Sequence, residues 1–345
     1  MRSLMTVGVF AVLLAIGAGW FFWRAVSTPY KGYTEKTTRV EVKRGLRTSA
    51  ILQQLQKEGV VRDEWIPLVY MKLVRGRDSL KAGVYQFDKP MSVVDVIDKL
   101  ARGEVILASI TIREGLDRFA IGKIFSDAGF GSEDEWKKVT GEADLVRDIA
   151  PNAESLEGYL FPDTYKFDPG TPVTTIVKAM VQNFRNHWGN EIALITTGLD
   201  PHQTVTLASI VETEAQQPQE RPIVASVYLN RVNKHMLLGA DPTVIYAMKL
   251  AGRWNGNIRK ADLQLASPYN TYKSPGLPPG PIANPGLASL RAAAAPATTP
   301  YLYFVARNDG SHVFATNVQE HNANVERWQR QYFRDKRARE QQQQR

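Results

Sequence analysis

The sequence predicts an α+β protein in three parts: an apolar N-terminal helix, a small α+β module, and a larger mixed α/β domain built round a helix that carries a buried glutamate. Three observations carry this reading. Leu4 to Trp23 ("LMTVGVFAVLLAIGAGWFFW") runs for twenty residues without a charge. Residues 37 to 148 alternate short strand-like and helix-like patterns. From residue 149 the texture changes to strongly helical stretches bracketed by the turns "SLEGYLFPDTYKFDPG" and "SPGLPPGPIANPG". The segmentation that follows is 1–29 for the first helix and its flank, 30–148 for a linker and module, 149–333 for the larger domain, and 334–345 for a basic, Gln-rich tail.

The first run has about the length that spans a bilayer as a helix, roughly 20 residues. Trp20 and Trp23 stand where an interfacial aromatic belt would lie, with Arg24 after them. A cleaved signal peptide would show a shorter apolar region, about 7–15 residues, and a small-x-small site close behind it. Neither is present, so the expectation is a retained transmembrane helix over residues 4–23. Flanking charge does not orient it, because Arg2 and the amino terminus face Arg24 and Lys31 across the span.

After the polar linker "VSTPYKGYTEKTT", "RVEVKRG" alternates as a half-buried strand should, and "LRTSAILQQLQKEGVV" has helical spacing. "DEWIPLVYMKLVRG" reads as a second helix, "AGVYQF" as a strand, and "MSVVDVIDKLARGE" as a helix opened by Ser92, an N-cap residue type. "ILASITIREG" and "RFAIGKIFSDAG" repeat the strand-then-helix order. This array resembles the LysM-like carbohydrate-binding module. A spacer with no ligand would carry the same pattern, since fold analogy does not establish binding.

Composition excludes several chemistries. Without a single Cys, disulfides, thiolate metal sites and cysteine nucleophiles fall away. The net charge of +8 suggests nucleic acid until it is located: five of the eight positive charges belong to residues 327 to 345, a solvated tail, so nucleic acid is not expected as a partner. His187, His202, His235, His312 and His321 show no metal-ligand spacing, and no Walker A run, dinucleotide glycine motif or G-x-S-x-G elbow occurs. No metal or cofactor is expected.

The segment "LASIVETEAQQPQERPIVASVYLNRV" sets Glu212 and Glu214 in a stretch otherwise written for a buried helix. With Leu207 as origin and steps of about 100° per residue, Glu214 falls near −20°, between Ile210 near −60° and Val211 near 40°, while Glu212 falls near 140°. Glu214 therefore faces the apolar side, and Glu212 faces solvent or a neighbouring helix. A carboxyl in an apolar wall has a raised pKa, the property of a general acid. A buried ion pair with Arg221 or Arg231 is the alternative.

Polar residues gather elsewhere in ways a plain core does not require. "LEGYLFPDTYKF" supplies Glu157, Tyr159, Asp163, Thr164 and Tyr165; "DPTVIYAM" supplies Asp241, Thr243 and Tyr246; "SPYNTYKSPGLPPGPIANPG" supplies Tyr269, Asn270, Thr271 and Tyr272. Aromatic faces beside amides and hydroxyls suit sugar rings, although turn chemistry accounts for each cluster singly.

"ASIVETEA", "VASVYLNRV", "ADPTVIYAM", "PYNTYKSPGLPPGPIANPG", "LRAAAAPATTPYLYFVA" and "HVFATNVQEHN" together resemble the YceG-like family of endolytic murein transglycosylases, over nearly the whole chain. The resemblance implies an enzyme that cuts peptidoglycan strands internally between MurNAc and GlcNAc, leaves 1,6-anhydro-MurNAc ends, and limits nascent strand length. It implies an inner-membrane location with the catalytic domain on the periplasmic side, and peptidoglycan synthases as partners. The family's catalytic acid maps to Glu214, with Glu212, Glu157 and Asp163 as supporting candidates. Tyr165, Asn230, Arg231, Asp241, Thr243, Tyr246, Tyr269, Asn270 and Tyr272 are the substrate-binding candidates. Where the family commonly has Lys between the two acids and Thr after the second, this chain has Thr213 and Ala215. A non-catalytic glycan-binding scaffold and a murein hydrolase are the competing readings.

Overall fold

The computed structural model describes residues 2–43, 45–76, 79–195, 198–332 and 334, with side chains from residue 12 onward. It divides into two compact units, Met1–Ser109 with Lys166–Thr171, and Ile110–Tyr165 with Pro172–Arg345.

In the first unit α1 (Arg2–Ser27) precedes β1 (Thr38–Val42), α2 (Thr48–Lys57), α3 (Trp65–Tyr70), β2 (Gly83–Phe87) and α4 (Val93–Arg102). β1 and β2 pair antiparallel with Thr38 opposite Phe87 and Val42 opposite Gly83. The period-2 pattern turns Val40, Val42, Tyr85 and Phe87 inward, onto Leu52 and Leu55 of α2 and Ile97 and Leu100 of α4. Truncating a buried Leu of this set to Ala would cost about 2–5 kcal/mol. Ser92 does cap α4: its hydroxyl accepts the Asp95 N–H at 3.1 Å while the Asp95 carboxylate accepts the Ser92 N–H at 3.3 Å. The helix stops at Gly103, which takes the left-handed φ of 74°.

One part of the expected fold class is corrected here. Among the described residues no helix is long and apolar enough to cross a membrane. The chain is mixed α+β, and the transmembrane helix expected over residues 4–23, with the membrane attachment drawn from it, is not supported. Of that run, the side chains of residues 4–11 lie outside the described ones. The end of α1 is instead a packing element: Val26 is fully buried and Phe22 lies against the same core. The basic tail, apart from Arg334, lies outside the described residues.

β3 (Ala108–Thr111) and β4 (Thr164–Phe167) pair with each other. The second unit holds α5 (Arg118–Asp127), α6 (Glu133–Thr140), α7 (Val173–His187), α8 (Pro201–Glu214), α9 (Arg221–Asn233), α10 (Asp241–Leu250), α11 (Leu287–Ala294), the hairpin β5 (Tyr303–Ala306) and β6 (His312–Ala315), and α12 (Val318–Val325). α8 is its axis, packed by α9, α10 and α11. The predicted apolar stripe Ile176, Val177, Met180, Val181 and Phe184 of α7 is buried.

Candidate active site

α8 starts with Asp200 in a reciprocal cap with Gln203 and Pro201 in its first turn, and it ends at Glu214, where Ala215 turns to an extended backbone. Every residue from Thr204 to Val211 is buried. Three of its polar side chains, His202, Ser209 and Glu212, reach the Gly/Pro loop that follows α10. His202 contacts the Pro279 carbonyl through Nε2 at 2.8 Å and the Tyr159 hydroxyl through Nδ1 at 2.7 Å. The Ser209 hydroxyl accepts the Ile282 N–H at 3.0 Å, and the Glu212 carboxylate accepts the Gly286 N–H at 2.9 Å. Three points along one helix thus fix the loop, and the loop in turn fixes the helix end.

Glu212 also accepts from Arg221 Nη2 at 3.0 Å, with the glutamate side chain 5% exposed and the arginine 13%. Of the two faces open to it, solvent or a neighbouring helix, Glu212 takes the helix, at the start of α9. Arg221 is thereby occupied, so the ion-pair alternative applies to Glu212.

Glu214 lines a cavity of about 470 Å³, whose other walls come from α9, the turn before α10, the β5–β6 hairpin, α12 and Gln329 beyond it. Its Oε1 accepts a hydrogen bond from the Tyr228 hydroxyl at 3.2 Å. Burial raises its pKa from 4.5 to about 7; the Tyr228 hydrogen bond opposes this, the Asp241 charge adds to it, and Arg231 opposes it. Burial, followed by the Glu214 charge, pushes the Tyr228 hydroxyl well above its usual range, so it remains a donor. The Arg231 guanidinium donates from Nε to the Leu302 carbonyl at 2.6 Å and from Nη1 to the Leu238 carbonyl at 2.7 Å, and it stacks over Tyr303 at 5.0 Å. It is therefore a strut of the wall. Across the cavity, the Tyr272 hydroxyl donates to Asp241 at 2.7 Å. His312 is oriented by Glu220, which accepts its backbone N–H at 2.9 Å and contacts its Nδ1 at 2.7 Å.

Of the residues singled out in the sequence, the structure brings Glu214, Arg231, Asp241 and Tyr272 to this cavity. The others sit elsewhere. Glu157 is 1% exposed, accepts the Arg118 N–H at the start of α5 at 3.0 Å and Asn284 Nδ2 at 2.8 Å, and burial pushes its pKa to about 8. Tyr246, its partner, packs on Tyr269 with ring centroids 5.1 Å apart. Asp163 and Tyr165 both receive Asn183 Nδ2, at 2.9 and 3.3 Å. Asn230 donates to the Thr299 and Tyr301 carbonyls at 2.8 and 3.0 Å, and Asn270 to those of Leu263 and Leu265 at 3.0 and 2.8 Å. Thr243 is fully buried, with its hydroxyl 2.9 Å from that of Thr271.

Sequence reading does not pick out Tyr228, Tyr303, His312, His321 or Gln329, all of which line the cavity. Tyr228 carries a signal only in retrospect, as a polar-tipped aromatic inside the otherwise apolar run "VASVYL". Among the described residues no group of three or more His, Asp or Glu is arranged to hold a metal ion.

A helical unit in which one helix delivers a glutamate with a raised pKa to an aromatic-walled cavity has the make-up of an acid–base site for a polar, ring-shaped substrate. The YceG-like family profile matches residues 40–327, and the chain belongs to the YceG-like family. The endolytic murein transglycosylase of Bacillus subtilis (strain 168) is 34% identical, with 91% of each chain covered. That of Streptococcus pneumoniae serotype 2 (strain D39) is 31% identical over 92% of this chain and 63% of its own length. The crystal structure of a YceG-like protein from Listeria monocytogenes matches with a TM-score of 0.56 and 29% identity, covering 84% of this chain and 98% of that one.

Proposed function

We propose that the chain is an endolytic lytic transglycosylase that cuts murein glycan strands between MurNAc and GlcNAc and leaves 1,6-anhydro-MurNAc ends. Family membership and the named relatives support the coarser part, a murein-cleaving enzyme of the lyase class. The finer part rests on one observation: Glu214, with its pKa raised to about 7, meets the cavity as a carboxyl that holds its proton near neutrality.

Hydrolytic glycosidases use two carboxyl groups, one to protonate the leaving oxygen and one to attack or to activate water. A lytic transglycosylase needs one. Glu214 donates its proton to the bridging oxygen as the C1–O bond breaks; the C6 hydroxyl of the same MurNAc attacks C1; the Glu214 carboxylate then takes the C6 hydroxyl proton. The enzyme ends in its starting protonation state, and no water is consumed. Internal cuts of this kind shorten strands as they are made, which supports a role in limiting strand length.

Asp241 in the same cavity favours a second reading, hydrolysis, because it could serve as the second carboxylate. Mass spectrometry of purified sacculi digested by the chain separates the two. Anhydro-MurNAc ends are the expected product; reducing ends would replace this reading with hydrolysis, and intact strands would replace it with a non-catalytic glycan binder.

A further inference from the structure

β5 is an edge strand that faces the Glu214 cavity. Tyr303, Phe304, Val305 and Ala306 all line the cavity. Successive side chains of a strand point to opposite sides, so four consecutive residues meet one cavity only if the backbone edge is turned toward it. The hairpin register decides which groups that edge offers. Tyr303 stands opposite Ala315 and Ala306 opposite His312, and the Arg307 N–H donates to the Ser311 carbonyl at 2.9 Å. Bonded and non-bonded pairs alternate in an antiparallel ladder, so Val305 and Tyr303 exchange hydrogen bonds with β6, and the N–H and C=O groups of Phe304 and Ala306 point the other way. Neither residue's backbone is hydrogen-bonded on that side among the described residues.

We propose that this edge binds the peptide stem of the glycan strand, pairing the amides of the stem with the outward backbone groups of Phe304 and Ala306. The proposal rests on the transglycosylase reading and names the part of the substrate that the cavity recognises beyond the sugar. The stem leaves MurNAc through the lactyl ether on C3, two carbons from the C1 that Glu214 serves, so it must emerge within the same cavity. Outward groups on alternate residues lie about 6.8 Å apart, within reach of a stem a few residues long in extended form. Recognition by strand addition draws its affinity from main-chain hydrogen bonds.

The test compares kcat/KM on stem-bearing strands with kcat/KM on strands stripped of their stems by an amidase. One or two added hydrogen bonds predict a preference of about tenfold for stem-bearing strands. Ala306→Pro deletes one outward N–H at a position that gives none to the ladder, a place where an edge strand tolerates proline; the ratio should fall toward one. A second measurement does not depend on the variant folding: saturating MurNAc-dipeptide should slow hydrogen exchange at the Phe304 and Ala306 amides of the wild-type chain. Equal cleavage of both substrates by wild type, an Ala306→Pro protein that folds and keeps the preference, or unchanged exchange at both amides would each overturn the proposal. Anhydro-ended products from stripped strands with no stem preference would reject the stem site and leave the transglycosylase reading standing. Cleavage of neither substrate would reject the activity, and the amide exchange would still decide the site.

Discussion

Glu214 holds its proton near neutral pH because burial penalises its charged form more than the Tyr228 hydroxyl relieves it. The balance makes two substitutions informative. Glu214→Gln keeps size and polarity but removes the transferable proton, and turnover on sacculi should fall by at least about 10²–10⁴ with glycan binding and thermal unfolding little changed. Tyr228→Phe removes a hydrogen bond that favours the carboxylate, so the pKa rises further and the acid stays protonated at higher pH. The alkaline limb of the pH–rate profile should move upward; an unmoved or lowered limb would contradict the role given to Tyr228. Glu214 itself was legible in "IVETE" because an acid on an apolar face is anomalous within ten residues of sequence. Tyr228 was not, since its approach to Glu214 depends on how α9 folds back beside α8, and no local pattern encodes that return.

At the scale of elements, α8 shows where periodicity stops informing. A wheel argument assumes one face in the core and one in water, but this helix is enclosed by α9, α10 and α11, and its hydroxyls bond back along it, Thr206 to the His202 carbonyl at 2.7 Å and Ser209 to that of Thr206 at 2.7 Å. Periodicity therefore separates the directions of Glu212 and Glu214 but does not choose between water and a helix for Glu212. The helix makes Glu212 structural in a way that can be measured. Glu212→Ala leaves Arg221 buried with only the distant Glu114 carboxylate, 3.7 Å away, and removes the acceptor for the Gly286 N–H. Urea unfolding should report a loss of about 3–5 kcal/mol. A loss under 1 kcal/mol would mean that Glu114 replaces it fully. Elements with one wet face fared better under the same reading: the alternation of β1 and β2 and the Ser92 cap of α4 follow from local rules that burial on a single side leaves intact.

Across the whole molecule the second unit is tied by contacts that no window of sequence contains. β3 meets β4 with the Thr111 and Thr164 hydroxyls 2.8 Å apart, and Asn284 accepts the Leu160 N–H at 2.9 Å while its Nδ2 reaches the Leu116 carbonyl at 2.9 Å and Glu157 at 2.8 Å. Gly158, at φ 87°, lets that turn close: a side chain there would strike Pro281 and Val205. Glu157 gives this junction a pH signature. Its folded pKa of about 8 lies above the ordinary 4.5, so between those values the folded state binds more protons than the unfolded one, and stability falls as pH rises from about 4.5 through 8. Glu157→Gln should flatten that fall in melting temperature between pH 5 and 8.5; an unchanged slope would place the sensitivity in another group. The cavity has a different kind of long reach, because Glu214 comes from the middle of the chain and the wall opposite it from Tyr303, His312, His321 and Gln329. A chain still being synthesised thus carries its acid for some ninety residues before it owns the surface that would hold a glycan. On the transglycosylase reading the site is complete only once the β5–β6 hairpin and α12 have been made, so a product truncated before residue 300 should lack activity however well its α8 is formed.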